Sequence, residues 1–133
     1  EALPPGAELW LDGGHNAAAG AALAGALAEM AETRPAPVRL VLGMIETKAV
    51  EDYLAPLAPL AGGAFTVPVP DSAAAIPADR LAGRAAAAGL PARPAADALA
   101  AIRAIAEDGA DAAPRVVICG SLYLAGALLR ENG

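Results

Sequence analysis

Residues 9–16, Leu9-Trp10-Leu11-Asp12-Gly13-Gly14-His15-Asn16, constrain the fold more than any other segment. An apolar run ends on a carboxylate, passes two glycines and delivers the chain's single histidine beside an asparagine. An alanine-rich segment follows, with Leu23, Leu27 and Met30 at helical spacing. Physically this reads as a buried strand, a tight glycine turn and a helix N-terminus carrying polar side chains. In open α/β sheets, ligands sit at such a place, outside the carboxyl ends of the strands.

The rest of the chain repeats the alternation. Asn16 can cap the first helix, Glu29 and Glu32 face outward, and Pro35 and Pro37 stop it. Val38 to Met44 reads as a second strand, apolar enough to be covered on both faces. Val50, Leu54 and Leu57 mark a helix over 49–60 that Pro56 and Pro59 must shorten or kink. Ala64 to Val69 reads as a third strand of alternating character, and Pro77 and Gly89 suit the start and the C-terminal cap of a further helix. A helix is expected over 95–107 with Leu99, Ile102 and Ile105 inward, then a buried strand from Arg115 to Cys119. Gly120-Ser121 would open a last helix carrying Leu124 and Leu128. Strands alternating with helices imply an α/β, Rossmann-like, mostly parallel sheet of about five to six strands with helices on both faces. At 133 residues, the whole chain (1–133) is expected to be one domain.

Composition removes several function classes. A formal charge of −6 with nine scattered basic residues argues against nucleic acid as the partner. The 56% apolar content is largely alanine, and no run is long enough to span a membrane. A single cysteine, Cys119, excludes an internal disulfide and suits a reducing cytoplasm; amid the valines of its strand it reads as an inert core thiol. Trp10 and Tyr53 read as packing residues. There is no G-x-x-x-x-G-K-[ST] phosphate loop and no G-x-G-x-x-G fingerprint. One histidine and one cysteine cannot build the usual zinc sites, so no metal site is expected.

Three strand ends carry polar groups: Asp12 with His15 and Asn16, Lys48 shortly after Gly43-Met44, and Ser121 after Gly120. In a parallel sheet all three would open toward one edge, where convergent polar groups favour a concave binding site. Ser121 at a helix start is suited to a carboxylate or phosphate oxygen. Each residue also has a plainer role: Asp12 and Asn16 would stabilise a turn and cap a helix, His15 and Lys48 would be solvated, and Ser121 would be an N-cap. No complete nucleophile–base pair is visible, so the residues suggest part of a site and no complete catalytic set.

These blocks resemble the C-terminal domain of the folylpolyglutamate synthase/dihydrofolate synthase family, within the Mur ligase superfamily. Leu11-Asp12-Gly13-Gly14-His15-Asn16 is similar to the family's L-D-G-A-H-N-P. Val41-Leu42-Gly43-Met44 with Lys48 resembles V-x-G-M-x-x-D-K-D, and Ile118-Cys119-Gly120-Ser121-Leu122-Tyr123-Leu124 with Gly126 resembles V-x-x-G-S-L-Y-L-x-G. The departures are Ala17 in place of the proline and Thr47 and Ala49 in place of the flanking acids. The resemblance implies an ATP-dependent amide ligase that adds L-glutamate to dihydropteroate or folate through an acyl phosphate. It implies that ATP and Mg²⁺ are bound mainly by an N-terminal phosphate-loop ATPase domain preceding these residues, without which this domain is inactive. Asp12 would then contact the ATP ribose, His15 and Asn16 would lie near the nucleotide, and Lys48 and Ser121 would hold the incoming glutamate. The alternatives are the matching domain of a UDP-muramoyl amino-acid ligase and a stand-alone α/β ligand-binding module.

Overall fold

The computed structural model describes residues 5–46, 49–70, 72–108 and 113–121. Lys48 and the helix expected after Ser121 lie outside the described residues. The elements run β1 (Glu8–Leu11), α1 (Ala17–Thr33), β2 (Val38–Leu42), α2 (Val50–Leu54), β3 (Ala64–Thr66), α3 (Ala78–Ala87), β4 (Ala92–Pro94), α4 (Ala98–Glu107) and β5 (Arg115–Cys119). The strands form one five-stranded sheet in the order β1-β5-β2-β3-β4, and every pairing is parallel.

The pleat divides the core in two. Leu40, Leu42, Val117 and Cys119 pack with Leu27, Tyr53, Leu54, Leu81 and Ala85, so α1, α2 and α3 cover one face. Val41, Phe65, Val116 and Ile118 pack with Ala101, Ile102 and Ile105 of α4 on the other. Crossovers of one hand demand this division: β1→β2→β3→β4 steps one way across the sheet, and β4→β5 returns. The chain thus reverses at β4, and β5 is inserted between β1 and β2; in such sheets ligands bind outside the carboxyl ends of the strands.

Asn16 caps α1, its side-chain oxygen accepting from the Ala19 N–H at 2.8 Å. The two prolines shorten α2, which continues only as turns through Leu60. Gly89 takes the left-handed conformation after α3, at φ 93°.

Three expectations need correction. The strand at 9–11 is an edge strand, paired with β5 alone, and leaves Leu9 48%, Trp10 45% and Leu11 38% exposed, where burial was expected. Trp10 is accordingly no packing residue; its indole N–H donates to Glu8 at 2.8 Å. Residues 92–94 form the opposite edge strand, whereas α4 begins only at Ala98, capped by the Asp97 carboxylate; Pro94 is tolerated at the end of an edge strand. β3 ends at Thr66 and is buried throughout.

Candidate functional site

Asp12 leaves the end of β1 with its N–H donating to Ile118 O at 2.9 Å, and the Gly43 N–H after β2 donates to Cys119 O at 3.2 Å. The exits of β1, β5 and β2 are thus stitched together on one rim, with β5 in the middle. Gly120 makes this possible: its φ is +95°, and a Cβ there would lie 2.7 Å from Gly43 O and from Met44 Cγ. Ser121 follows, on the same rim and buried at 4% exposure.

The turn after β1 is built by its aspartate. Asp12 Oδ2 accepts from the Gly14 N–H at 3.3 Å, an Asx-type bond that folds the chain back toward α1. Neither Gly13 nor Gly14 uses a positive φ, but the turn needs glycine for space: a Cβ at Gly14 would lie 2.4 Å from the Ala19 Cβ. His15 and Asn16 stand exposed at the start of α1, and His15 has no hydrogen-bond partner among the described residues. Asp12, His15, Asn16 and Ser121 therefore share one rim. Lys48, which the sequence places in the same group, lies outside the described residues, although its flanks are anchored: Arg84 donates to Glu46 at 3.0 Å and to both oxygens of Glu51 at 2.8 Å. The Arg84 hydrogen bonds hold the Glu51 carboxyl below its ordinary range.

Sequence reasoning missed Tyr53. Its hydroxyl donates to Asp12 Oδ2 at 3.3 Å from a fully buried ring on α2. Burial first, and then the neighbouring Cys119 and Asp12, push its ionisation far above the ordinary phenol value. The missed signal was a hydroxyl three residues after Val50 on an apolar helical stripe, since a buried phenol requires a partner. Among the described residues Asp12 Oδ1 takes no hydrogen bond, whereas Oδ2 takes two. Among the described residues no group of three or more His, Cys, Asp or Glu could hold a metal ion; these side chains do not fit a divalent cation by themselves. A separate depression of about 240 Å³ lies at the amino ends of β3 and β4, lined by Arg39, Phe65 and Arg93, away from every residue singled out in the sequence.

Solved structures extend the picture. Over 94% of this chain, a Mycobacterium tuberculosis folylpolyglutamate synthase complexed with ADP and AMPPCP matches at 27% identity with a TM-score of 0.78. A bifunctional folylpolyglutamate synthase/dihydrofolate synthase from Yersinia pestis, complexed with AMPPNP and Mn, matches over 98% of this chain at 26% identity and a TM-score of 0.75. The chain is similar to the C-terminal domain of folylpolyglutamate synthase/dihydrofolate synthase. It spans 29% and 30% of the length of those two chains. A further bifunctional folylpolyglutamate synthase/dihydrofolate synthase, with Mn, AMPPNP and L-glutamate bound, matches over 93% of this chain and 28% of its own at 27% identity, with a TM-score of 0.74. No family model and no curated protein matches the sequence. The five-stranded parallel sheet is thus of the Rossmann-like, Mur ligase C-terminal type, in agreement with the fold class read from the sequence. No helix among the described residues is long and apolar enough to cross a membrane.

Proposed function

We propose that this chain is the C-terminal domain of a cytoplasmic ATP-dependent ligase that joins L-glutamate to dihydropteroate, to folate, or to both. The observation that carries the reading is the likeness, over 94% of the chain, to a folylpolyglutamate synthase complexed with ADP and AMPPCP. In the proposed reaction an acceptor carboxylate oxygen attacks the γ-phosphorus of ATP, forming an acyl phosphate and releasing ADP. The glutamate amine then attacks the acyl carbon, the C–O bond to phosphate breaks, and the amine proton leaves as the amide forms. A phosphate-loop domain N-terminal to this one would bind most of the ATP and the Mg²⁺; the described residues offer no cation site of their own.

This domain would complete the site along its rim. Oδ1 of Asp12 suits the ribose hydroxyls, because a carboxylate accepts from both. Exposed His15 and Asn16 would face the nucleotide, and Lys48 and Ser121 would hold the carboxylates of the incoming glutamate. Closure of one domain on the other would exclude water from the acyl phosphate.

Glutamate ligation, measured for residues 1–133 alone and for a protein joining them to the phosphate-loop domain, tests the reading. The expected result is no ligation by the chain alone and turnover by the joined protein. In the joined protein Asp12→Ala or His15→Ala should lower kcat/KM at least about tenfold, the equivalent of one charge-assisted hydrogen bond, with melting temperature unchanged in His15→Ala and lowered by a few degrees in Asp12→Ala, which leaves the Tyr53 hydroxyl without its acceptor. Unimpaired turnover in both variants overturns the site assignment. Turnover on a UDP-muramoyl acceptor in place of dihydropteroate and folate overturns the substrate.

A further inference from the structure

We propose that Tyr53 is a positioning residue for the nucleotide: with the Gly14 amide it occupies one oxygen of the Asp12 carboxylate and presents the other to the ribose hydroxyls of ATP. The inference rests on the reading of Asp12 given above and adds a residue that neither the sequence motifs nor the family resemblance includes.

The geometry is asymmetric in a useful way. Asp12 Oδ2 accepts twice, from the Gly14 N–H and the Tyr53 O–H, each at 3.3 Å, while Oδ1 accepts from no described residue. A carboxylate held by two donors on one oxygen has lost its rotational freedom before any ligand arrives, and that ordering cost no longer falls on binding. Tyr53 is itself immobile. Its ring is fully buried, and α1 presses on its backbone so closely that a Cβ at Gly20 would stand 2.2 Å from the Tyr53 carbonyl oxygen. The hydroxyl also stays protonated across the working pH range, since burial and the Cys119 and Asp12 neighbours oppose its ionisation. It is a permanent donor, and Asp12 is its acceptor.

A purely structural role, in which Asp12 merely satisfies a buried phenol, predicts something different, so kinetics separates the two. In the joined protein, kcat and KM for ATP are measured for wild type, Tyr53→Phe, Asp12→Ala and the double variant. Phenylalanine keeps the ring and its packing. The expected result for Tyr53→Phe is a KM for ATP raised about fivefold, in line with one net hydrogen bond. Its kcat should stay within about twofold, and KM for glutamate and the melting temperature should not change. On the Asp12→Ala background the Tyr53 substitution should add nothing, because its effect passes through that carboxylate. An undiminished increase on that background, or an unchanged KM for ATP in Tyr53→Phe while Asp12→Ala raises it, overturns the role of Tyr53 and leaves that of Asp12 standing. An unchanged KM for ATP in Asp12→Ala overturns both.

Discussion

Side chains at this end of the sheet have opposite characters, and burial sorts them. His15 and Asn16 are exposed, whereas Cys119, directly beneath Tyr53, has no exposure. Burial pushes the Cys119 thiol up to about 12, outweighing the neighbouring Tyr53 hydroxyl, which acts to lower it. The thiolate is the reactive form, so both its scarcity and its inaccessibility protect it. We expect iodoacetamide at pH 8 to modify the folded chain at least about a thousandfold more slowly than the chain in urea, as followed by mass spectrometry. Fast labelling of the folded chain would show that the thiol reaches solvent. The inert character of Cys119 was legible in the sequence from its apolar strand neighbours. The bond from Tyr53 to Asp12 was not, because an aromatic ring on an apolar helical stripe looks the same whether or not its hydroxyl reaches a carboxylate 41 residues away.

At the level of elements, α1 tests how closely backbone can approach backbone. Gly20 and Gly25 lie in the same helix, yet a Cβ at Gly20 would collide with the Tyr53 carbonyl at 2.2 Å, while one at Gly25 meets nothing within 4 Å. Helix propensity favours alanine at both by about 1 kcal/mol. Gly25→Ala should therefore stabilise by about 0.5–1 kcal/mol, whereas Gly20→Ala should destabilise by about 2–3 kcal/mol, because overpacking against rigid backbone exceeds the propensity gain. Urea unfolding of the two variants checks this, and equal effects would mean that α1 and α2 do not meet at Gly20. The same elements show where a sequence speaks. β2 and β5 were readable because burial on both faces demands unbroken apolar runs, and α1 because Asn16 and the Leu23-Leu27-Met30 stripe agree. β4 was silent: Ala92-Arg93-Pro94 is three residues long, half-buried at best and ends in proline, and only its pairing with Ala64–Thr66 makes it a strand. β1 announced its type but not its place, since an edge strand and a central one can share the same three apolar residues.

Across the whole molecule, the rim opposite the candidate site is held by an ion cluster that joins distant parts of the chain. Arg115, at the start of β5 and 2% exposed, donates to Glu8 Oε1 at 2.7 Å and Oε2 at 3.1 Å, 107 residues away, and to Arg34 O at 2.9 Å. Arg34 pairs with the same carboxylate and donates to Gly6 O at 2.5 Å. Chiefly through the Arg115 hydrogen bonds, the Glu8 carboxyl is lowered from 4.5 to about 2. A carboxylate whose acidity is stronger in the folded state contributes stability that is complete above about pH 4.5 and is lost as pH falls toward 2. Glu51, lowered by Arg84, acts in the same direction, but its side chain is 43% exposed against 25% for Glu8, so solvent weakens its share. Acid unfolding followed by circular dichroism should therefore flatten more in Glu8→Gln than in Glu51→Gln between about pH 4.5 and 2. At neutral pH Glu8→Ala should cost about 3 kcal/mol, because it leaves a buried guanidinium without its anion. Equal pH profiles for the two glutamine variants would mean that Arg115 finds another partner. The consequence reaches the site because β1 is an edge strand held to the sheet by β5 alone: Glu8 fixes one end of four residues, and Asp12 follows the other. Loosening the ion cluster should thus also weaken the nucleotide binding proposed for Asp12, and in the joined protein Glu8→Gln should raise KM for ATP progressively as temperature approaches its lowered melting point, with a smaller rise in Glu51→Gln.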